Sequence, residues 1–220
     1  MKLLLDSAKI EEIKHAMEMW DLDGVTTNPR HIQAAGKPFR KVIEEIAELF
    51  AGTDKEASVE VNPHLTEWRD IANTGRELAA LSPNFVIKIG LSEGGLKAVR
   101  VLSEEGIRVN ATLVFTVAQA WHAARAGAYL VSPFLGWKEQ FGDPVGSLIT
   151  DVRTMLDVHN YDTKLLAASI KNAAQIGEVA RIGADYVTAG LDVYEQSMGN
   201  PYTTYGEKFF QDGWDATPEG

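Results

Sequence analysis

Short apolar runs alternate with amphipathic stretches along this 220-residue sequence, and the pattern predicts an α/β fold, a (β/α)8 TIM barrel with an extra C-terminal helix. Eight such runs are present, which favours a closed barrel over an open doubly wound sheet. The first run is followed by Asp-Ser-Ala-Lys at residues 6–9, where a dinucleotide-binding fold would carry a glycine-rich fingerprint. Glycine often closes a helical stretch, at Gly106, Gly127 and Gly183, which is typical of helix C-termini.

Each predicted strand is a short aliphatic run, and each predicted helix has apolar residues at i, i+3, i+4 spacing. The predicted strands are residues 2–6, 23–27, 58–62, 85–89, 108–113, 129–134, 164–169 and 186–189. The predicted helices are residues 10–20, 42–50, 65–81, 95–102, 117–126, 148–158, 173–182, 191–198 and 205–214. No segment is typical of a linker, so residues 1–220 are predicted to form a single barrel domain, with residues 199–220 as a C-terminal helical tail.

The composition is that of an ordinary globular protein, with 45% hydrophobic and 24% charged residues. Cysteine is absent, which excludes disulfides, thiolate metal sites and a cysteine nucleophile, and fits a reducing compartment. The formal net charge of −10 argues against binding to nucleic acid or to an anionic membrane. No apolar run is long enough for a membrane span or a signal peptide, so we expect a cytoplasmic protein.

Lys88 is the most informative residue in the sequence, because it lies inside the apolar run Phe85–Gly90. Burial disfavours the charged form of an amine, and a neutral amine is a nucleophile toward carbonyl groups. A snorkelling or salt-bridged lysine at a strand end is the alternative interpretation of this run. The ends of the other strands therefore decide between the two.

Polar side chains stand where the other predicted strands end, and in a (β/α)8 barrel these ends meet at one rim. The residues at these positions are Asp6, Thr27, Asn28, Glu60, Asn62, Lys88, Asn110, Thr112, Ser132, Ser169 and Lys171. The set supplies one amine nucleophile, two carboxylates and several neutral hydrogen-bonding groups. This combination favours Schiff-base chemistry on a ketone, with carboxylates moving the protons.

Seven segments along nearly the whole chain resemble the transaldolase family, in order, and in particular its short members, which include the fructose-6-phosphate aldolases. The segments are Leu5-Asp6, Gly24-Val25-Thr26-Thr27-Asn28-Pro29, Val59-Glu60-Val61, Val86-Ile87-Lys88, Asn110-Ala111-Thr112-Leu113-Val114-Phe115, Ser132-Pro133-Phe134-Leu135-Gly136 and Ala168-Ser169-Ile170-Lys171-Asn172. The Thr-Thr-Asn-Pro and Ser-Pro-Phe pieces together are specific for this family. The resemblance implies the same barrel fold.

The resemblance also implies catalytic roles for four residues. Lys88 would form the Schiff base with the ketose donor, and Asp6 would take the proton of the C4 hydroxyl during cleavage. Glu60 and Thr112 would hold the water that carries protons to and from the carbinolamine. No metal or organic cofactor is expected, because the lysine supplies the electron sink and the five histidines show no metal-ligand spacing.

Asn28, Asn110 and Ser132 would hold the hydroxyl groups of the dihydroxyacetone unit by the same resemblance. Thr27 and Ser169, which end their own strands, are assigned to this substrate-binding set. Purely structural roles stay open for several of these residues. Asn28 precedes Pro29 and is also suited to a turn or a helix N-cap.

Phe134 separates two activities within the family. The aldolase members carry a tyrosine near this position that helps water release free dihydroxyacetone, and phenylalanine has no hydroxyl. Glu60 agrees, because the aldolases tend to carry glutamine there. Both residues favour transfer to an aldehyde acceptor, although Phe134 is also suited to simple core packing.

The sequence departs from the family where the far end of the substrate binds. Transaldolases carry an arginine where Trp137 stands here, and a second arginine where Lys171 stands. Arg30 follows the Asn-Pro pair, where the family usually has a small residue. A lysine is a point charge without the fork of a guanidinium, so this pocket favours a sulfonate over a phosphate dianion. Ordinary phosphate binding, restored by Lys138 or Arg30, is the alternative.

The predicted function is therefore a class I transaldolase with no nucleic-acid or membrane partner. It would move a dihydroxyacetone unit from 6-deoxy-6-sulfofructose or fructose 6-phosphate, a sugar sulfonate or sugar phosphate, to an aldehyde such as glyceraldehyde 3-phosphate or erythrose 4-phosphate. One alternative is a fructose-6-phosphate aldolase that releases free dihydroxyacetone. An alternative of another class is a non-catalytic barrel that binds sugar anions, in which Lys88 is salt-bridged to Glu60.

The C-terminal tail is rich in aromatic residues, which expose much apolar area if nothing covers them. They are Tyr202, Tyr205, Phe209, Phe210 and Trp214. The tail either packs on the wall of its own barrel or docks on a neighbouring subunit. The second interpretation predicts a homo-oligomer formed through the C-terminal helix.

Overall fold

The computed structural model describes residues 1–142 and 147–218, and it contains a closed barrel of parallel strands. The strands are β1 (Lys2–Asp6), β2 (Gly24–Thr26), β3 (Glu56–Glu60), β4 (Phe85–Gly90), β5 (Val109–Val114), β6 (Leu130–Pro133), β7 (Lys164–Ile170) and β8 (Tyr186–Ala189). Each strand pairs with the next in chain order, and β8 closes the ring against β1. The (β/α)8 barrel predicted from the sequence is thus confirmed.

Helices connect the strands and surround the barrel. They are α1 (Ile10–Trp20), α2 (Pro29–Ala34), α3 (Phe39–Phe50), α4 (Trp68–Ala79), α5 (Glu93–Glu104), α6 (Val117–Arg125), α7 (Leu135–Gln140), α8 (Leu148–Val158), α9 (Ala173–Ile182), α10 (Leu191–Met198) and α11 (Pro201–Asp215). The short helices α2 and α7 were not predicted, because six residues are too few to show a helical period.

The third strand begins and ends two residues earlier than the predicted range 58–62. The sequence pattern failed here because Glu56, a charged residue, is buried in the barrel. Arg108 Nη1 donates to Glu56 Oε1 over 2.5 Å, and the Tyr129 hydroxyl donates to the same oxygen over 2.9 Å. These partners offset the desolvation of the carboxylate, which the pattern of apolar residues alone cannot reveal.

The inside of the barrel has two layers that follow from the alternation of side chains along a strand. The lower layer is apolar and consists of Leu4, Val86, Leu130, Leu166 and Tyr186. The side chains two residues further along the same strands are Asp6, Lys88, Ser132, Ala168 and Thr188. A larger apolar cluster joins the outward strand faces to the helices. The apolar layer therefore closes the barrel from below and leaves a polar floor at the carboxyl ends of the strands.

Helix α11 has no buried residue, so it does not pack on the wall of its own barrel. It begins at Pro201, earlier than the predicted range 205–214, because Asn200 Oδ1 accepts a hydrogen bond from the Tyr202 amide over 2.8 Å. Its aromatic side chains are 63–86% exposed. Among the residues that the structure describes, no helix is both long enough and apolar enough to cross a membrane.

Candidate active site

A cavity of about 490 Å³ opens at the carboxyl ends of the strands, and nearly all of the predicted site residues line it. Those that do are Asp6, Asn28, Arg30, Glu60, Lys88, Asn110, Thr112, Ser132, Phe134, Trp137, Ser169 and Lys171. Thr27 and Asn62, which the sequence analysis placed at the same rim, do not line it. The closed barrel has thus brought together residues that lie up to 165 positions apart in the chain, from Asp6 to Lys171.

Thr27 does not line this cavity, and its predicted role in binding substrate through its side chain has no geometric support. Its hydroxyl donates to the Ser58 carbonyl oxygen over 2.8 Å, away from the cavity. The reason is the alternation of side chains along β2, which turns Thr26 inward and Thr27 outward. Thr27 still reaches the site through its main-chain oxygen, which accepts a hydrogen bond from Lys88.

Lys88 is 5% exposed, and its ammonium group has two acceptors. Nζ donates to the Thr27 carbonyl oxygen over 2.8 Å and lies 3.1 Å from Glu60 Oε2. The parallel pairing of β3 with β4 places Glu60 directly beside Lys88. This contact alone does not distinguish a catalytic lysine from a structural ion pair, because the same carboxylate that pairs with the ammonium can also accept its proton.

Asp6 has a partner on each carboxylate oxygen. Thr26 Oγ1 donates to Oδ1 over 2.7 Å, and His31 Nε2 lies 3.2 Å from Oδ2. Burial raises the pKa of Asp6, but the hydrogen bond and charge of His31, the charge of Lys88 and the Thr26 hydroxyl outweigh it, so the pKa lies below its ordinary value. Asp6 is therefore a carboxylate at neutral pH. The Thr188 hydroxyl lies 2.6 Å from Thr26 Oγ1 and extends this series of hydrogen bonds into the barrel.

Neutral side chains form a second buried network on the floor of the cavity. Ser132 Oγ donates to Asn110 Oδ1 over 2.5 Å, and Asn110 Nδ2 donates to Ser58 Oγ over 3.1 Å. These bonds fix which way the Asn110 amide faces. The hydroxyls of Thr112 and Ser169, in contrast, are buried without a hydrogen-bond partner among the described residues. A buried hydroxyl without a hydrogen-bond partner lowers the stability of the fold by about 1–3 kcal/mol. Such unpaired groups are typical of sites that bind a ligand.

Two strands change register next to the cavity. In β5 the pairing with β6 shifts between Ala111 and Val114, and Leu113 between them has a positive φ angle of 60°. In β7 the pairing with β8 also shifts, and Ser169 there has a positive φ angle of 58°. Positive φ is unfavourable for residues with a Cβ atom and is common at functional sites. The bulge breaks the alternation of side chains, so the successive residues Thr112 and Leu113 both line the cavity.

The outer end of the cavity holds Arg30 at the start of α2, Trp137 on α7 and Lys171 after β7. Neither Arg30 nor Lys171 forms an ion pair within the part of the chain that the structure describes, so both are available to an anion. Glycine is needed at position 136 because a Cβ there would lie 2.5 Å from the main-chain oxygen of Ser169. The Trp137 ring packs against Phe134 at 5.5 Å and Phe115 at 6.3 Å between centroids.

Several lining residues were missed by the sequence analysis, among them Thr26, His31, Gln140 and Thr188. The alternation along β2 and β8 carried a signal for the two threonines, since it turns both inward. His31 and Gln140 lie on α2 and α7, which the sequence pattern did not reveal.

The fold and the cavity define a (β/α)8-barrel protein with a buried lysine, two carboxylates and a cationic outer end. The chain belongs to the transaldolase/fructose-6-phosphate aldolase family, whose sequence model matches residues 3–216. This confirms the family that the sequence segments resemble.

Curated relatives cover nearly the whole length of the chain. The 6-deoxy-6-sulfo-D-fructose transaldolase of Priestia megaterium (strain ATCC 12872 / QMB1551) is 47% identical over 218 residues, which are 99% of this chain and 96% of the relative. A probable transaldolase of Desulfitobacterium hafniense (strain DSM 10664 / DCB-2) is 44% identical over 97% of this chain and 98% of its own length. A probable transaldolase of Aquifex aeolicus (strain VF5) is 41% identical over 100% and 99%.

Proposed function

We propose that this protein is a cytoplasmic class I transaldolase that moves a dihydroxyacetone unit from a ketose with an anionic group at C6 to an aldehyde acceptor. One observation carries the proposal: a single cavity brings the buried Lys88 amine together with two carboxylates, Glu60 at 3.1 Å from it and Asp6. The relatives that are named transaldolases support the reaction type.

The first half of the reaction forms the Schiff base. Glu60 takes a proton from the Lys88 ammonium, and the neutral amine attacks the C2 carbonyl of the ketose. Glu60 then returns a proton to the carbinolamine oxygen through a water held with Thr112, and the oxygen leaves as water. The unpaired Thr112 hydroxyl is suited to that contact.

The second half breaks the bond between C3 and C4. Asp6 takes the proton of the C4 hydroxyl, C4 leaves as an aldehyde, and the electron pair of the broken bond forms an enamine on the Lys88 nitrogen. An acceptor aldehyde then adds to C3, and Asp6 returns the proton to the new hydroxyl. Water hydrolyses the resulting iminium, which breaks the bond between C2 and Lys88 Nζ and releases the new ketose. Because its pKa is lowered, Asp6 is ionised at neutral pH, as a group that accepts a proton must be. Asn110, Ser132 and Ser169 are suited to hold the dihydroxyacetone hydroxyls.

The aromatic surface at the rim favours transfer over release of dihydroxyacetone. Phe134 lines the cavity between Phe115 and Trp137, at centroid distances of 5.9 and 5.5 Å. This surface offers no hydroxyl beside the enamine to activate a water, so the enamine persists until an aldehyde arrives. An aldolase would need such a group.

We expect product formation to depend on an acceptor. With 6-deoxy-6-sulfofructose and glyceraldehyde 3-phosphate, the enzyme should form fructose 6-phosphate and a three-carbon sulfonated aldehyde, with little free dihydroxyacetone by chromatography. Phe134→Tyr should raise release of dihydroxyacetone without acceptor, and Phe134→Leu is the matched control without a hydroxyl. Equal release of dihydroxyacetone by wild type with and without acceptor would favour the aldolase alternative, and no turnover at all would favour the non-catalytic barrel.

The outer end of the cavity supports a sulfonate donor. Arg30 and Lys171 supply two positive charges without a carboxylate partner among the described residues, and Trp137 supplies an indole N–H and a flat apolar surface. A sulfonate is a monoanion and needs less charge than a phosphate dianion. The relative from Priestia megaterium is named for a sulfonated ketose, which agrees with this preference.

We expect Trp137→Arg to move the donor preference toward fructose 6-phosphate, because a guanidinium fork binds a phosphate through two hydrogen bonds. The ratio of kcat/KM for 6-deoxy-6-sulfofructose over fructose 6-phosphate measures this change, and each 1.4 kcal/mol of differential binding is about tenfold. Lys138→Met is the control, because Lys138 does not line the cavity. A wild-type enzyme that prefers fructose 6-phosphate by a wide margin would refute the sulfonate preference.

We further propose that α11 docks on another copy of this chain, giving a homo-oligomer. None of its residues is buried by its own chain, although five of them are aromatic. A 15-residue helix is marginally stable in water without packing, so this helix needs a covering surface. A second copy of the chain is always available to provide one.

We expect wild-type protein to sediment as a multiple of 24.1 kDa. The double variant Phe209→Asp, Trp214→Asp should sediment as a monomer because it places charge on the apolar face, whereas Gln211→Glu adds charge to the same helix without removing an aromatic ring. A monomeric wild-type protein at micromolar concentration would refute this role of α11, and so would a double variant with unchanged mass.

A further inference from the structure

His31 lies against the Asp6 carboxylate and was not assigned a role by the family resemblance. Its Nε2 atom is 3.2 Å from Asp6 Oδ2 and its side chain lines the cavity. Its position is fixed by the start of α2, where Asn28 Oδ1 accepts hydrogen bonds from the Arg30 and His31 amides over 2.9 and 3.0 Å. The imidazole is therefore held in contact with the group that takes the C4-hydroxyl proton.

Other charged groups also surround His31. Glu12 on α1 interacts with it electrostatically, and Glu12 is itself held by Lys9 Nζ at 2.8 Å and Ser7 Oγ at 2.6 Å. Arg30 precedes it on α2, and Lys88 carries the positive charge that acts on Asp6 from inside the barrel. Asp6 is the carboxylate in direct contact. The charge of the imidazole is thus felt first by Asp6.

We propose that His31 is a positioning residue that orients Asp6 and sets its strength as a base through its own charge. This inference rests on the proposed function, because it concerns the base of the cleavage step. When neutral, His31 donates its Nε2 proton to Asp6 Oδ2 and leaves the carboxylate free to bind the C4 hydroxyl. When protonated, it forms an ion pair that weakens the carboxylate as a base.

The protons balance without any contribution from His31. The C4 hydroxyl proton moves to Asp6, the bond between C3 and C4 breaks, its electron pair forms the C2=C3 double bond of the enamine, and the π pair of the iminium moves to Lys88 Nζ. When the acceptor adds, Asp6 gives the proton back to the new C4 oxygen. His31 keeps its Nε2 proton throughout, so its effect is on the rate of proton transfer.

The sign of the pH effect follows from the same contact. Imidazole ordinarily changes charge between pH 5 and 8. A charged imidazole 3.2 Å from the Asp6 carboxylate makes that carboxylate a weaker base and slows cleavage, whereas a neutral imidazole allows cleavage at its full rate.

The test compares kcat and KM for transfer between pH 5 and 8 in wild type, His31→Gln and His31→Leu. Glutamine places a donor at a reach similar to that of Nε2 but has no charge at any pH. His159→Gln, an exposed histidine outside the cavity, is the matched control. Asp6→Asn and the double variant Asp6→Asn, His31→Leu measure whether the two residues act together.

We expect wild type and His159→Gln to lose kcat on the acid side of this range, whereas His31→Gln stays within about twofold across it. His31→Leu should lower kcat at pH 8 by about tenfold or more with KM little changed, as for loss of a group that supports a general base. In the Asp6→Asn background, His31→Leu should have no further effect. The kcat of His31→Gln at pH 8 should be close to that of wild type and well above that of His31→Leu.

Two results would overturn the proposal: an acid limb in His31→Gln that matches wild type, or multiplicative effects of His31→Leu and Asp6→Asn. Either would place the action of His31 somewhere other than Asp6. Absence of transfer by wild type at pH 8 would instead refute the proposed function, so the two failures are distinguishable.

Discussion

The site depends on how a lysine is accommodated inside a closed barrel. Lys88 is almost completely buried, yet its ammonium has the Thr27 carbonyl oxygen at 2.8 Å and Glu60 at 3.1 Å. Breaking a buried ion pair by removing one partner is strongly destabilising, because it leaves an uncompensated charge. Neighbouring strands supply both partners, so this group exists only because β2, β3 and β4 are adjacent in the barrel. The same neighbours that hold the charge provide a place for the proton when the amine reacts.

The residues that stabilise the barrel and the residues of the candidate site lie at different depths inside it. Its lower interior is filled by apolar side chains, and the polar side chains stand two residues further along the same strands. At the rim, the bulges in β5 and β7 interrupt the alternation and turn extra groups toward the cavity. Some of these groups, the hydroxyls of Thr112 and Ser169, have no partner in the described part of the protein. Unpaired hydroxyls that line a cavity in this way are typical of a surface that binds a ligand.

Much of this arrangement could be predicted from the sequence. The spacing of apolar residues and the polar residues that follow an apolar run can both be recognised within a few neighbouring positions. Lys88 and Glu60 were predicted to lie at the same rim, because polar residues near the carboxyl ends of the strands meet there in a (β/α)8 barrel. Thr27 was placed in the cavity wrongly, since its strand turns Thr26 inward instead. His31 was not given a catalytic partner, because its contact with Asp6 depends on α2, a helix too short to show a period. The burial of Glu56, which displaced the predicted third strand, required knowledge of its distant partner Arg108. Long-range pairing of charges is what the sequence pattern does not contain.

The central claim is that Lys88 forms a covalent bond with the ketose, and borohydride trapping tests it most directly. Protein incubated with donor and reduced with borohydride is digested, and its peptides are weighed by mass spectrometry. We expect the mass of a reduced dihydroxyacetone adduct to be added to the peptide with Lys88, and we expect Lys88→Met protein, shown to be folded by circular dichroism, to take up none. Adducts on Lys171 or Lys138 in place of Lys88, or transfer activity in Lys88→Met, would contradict it.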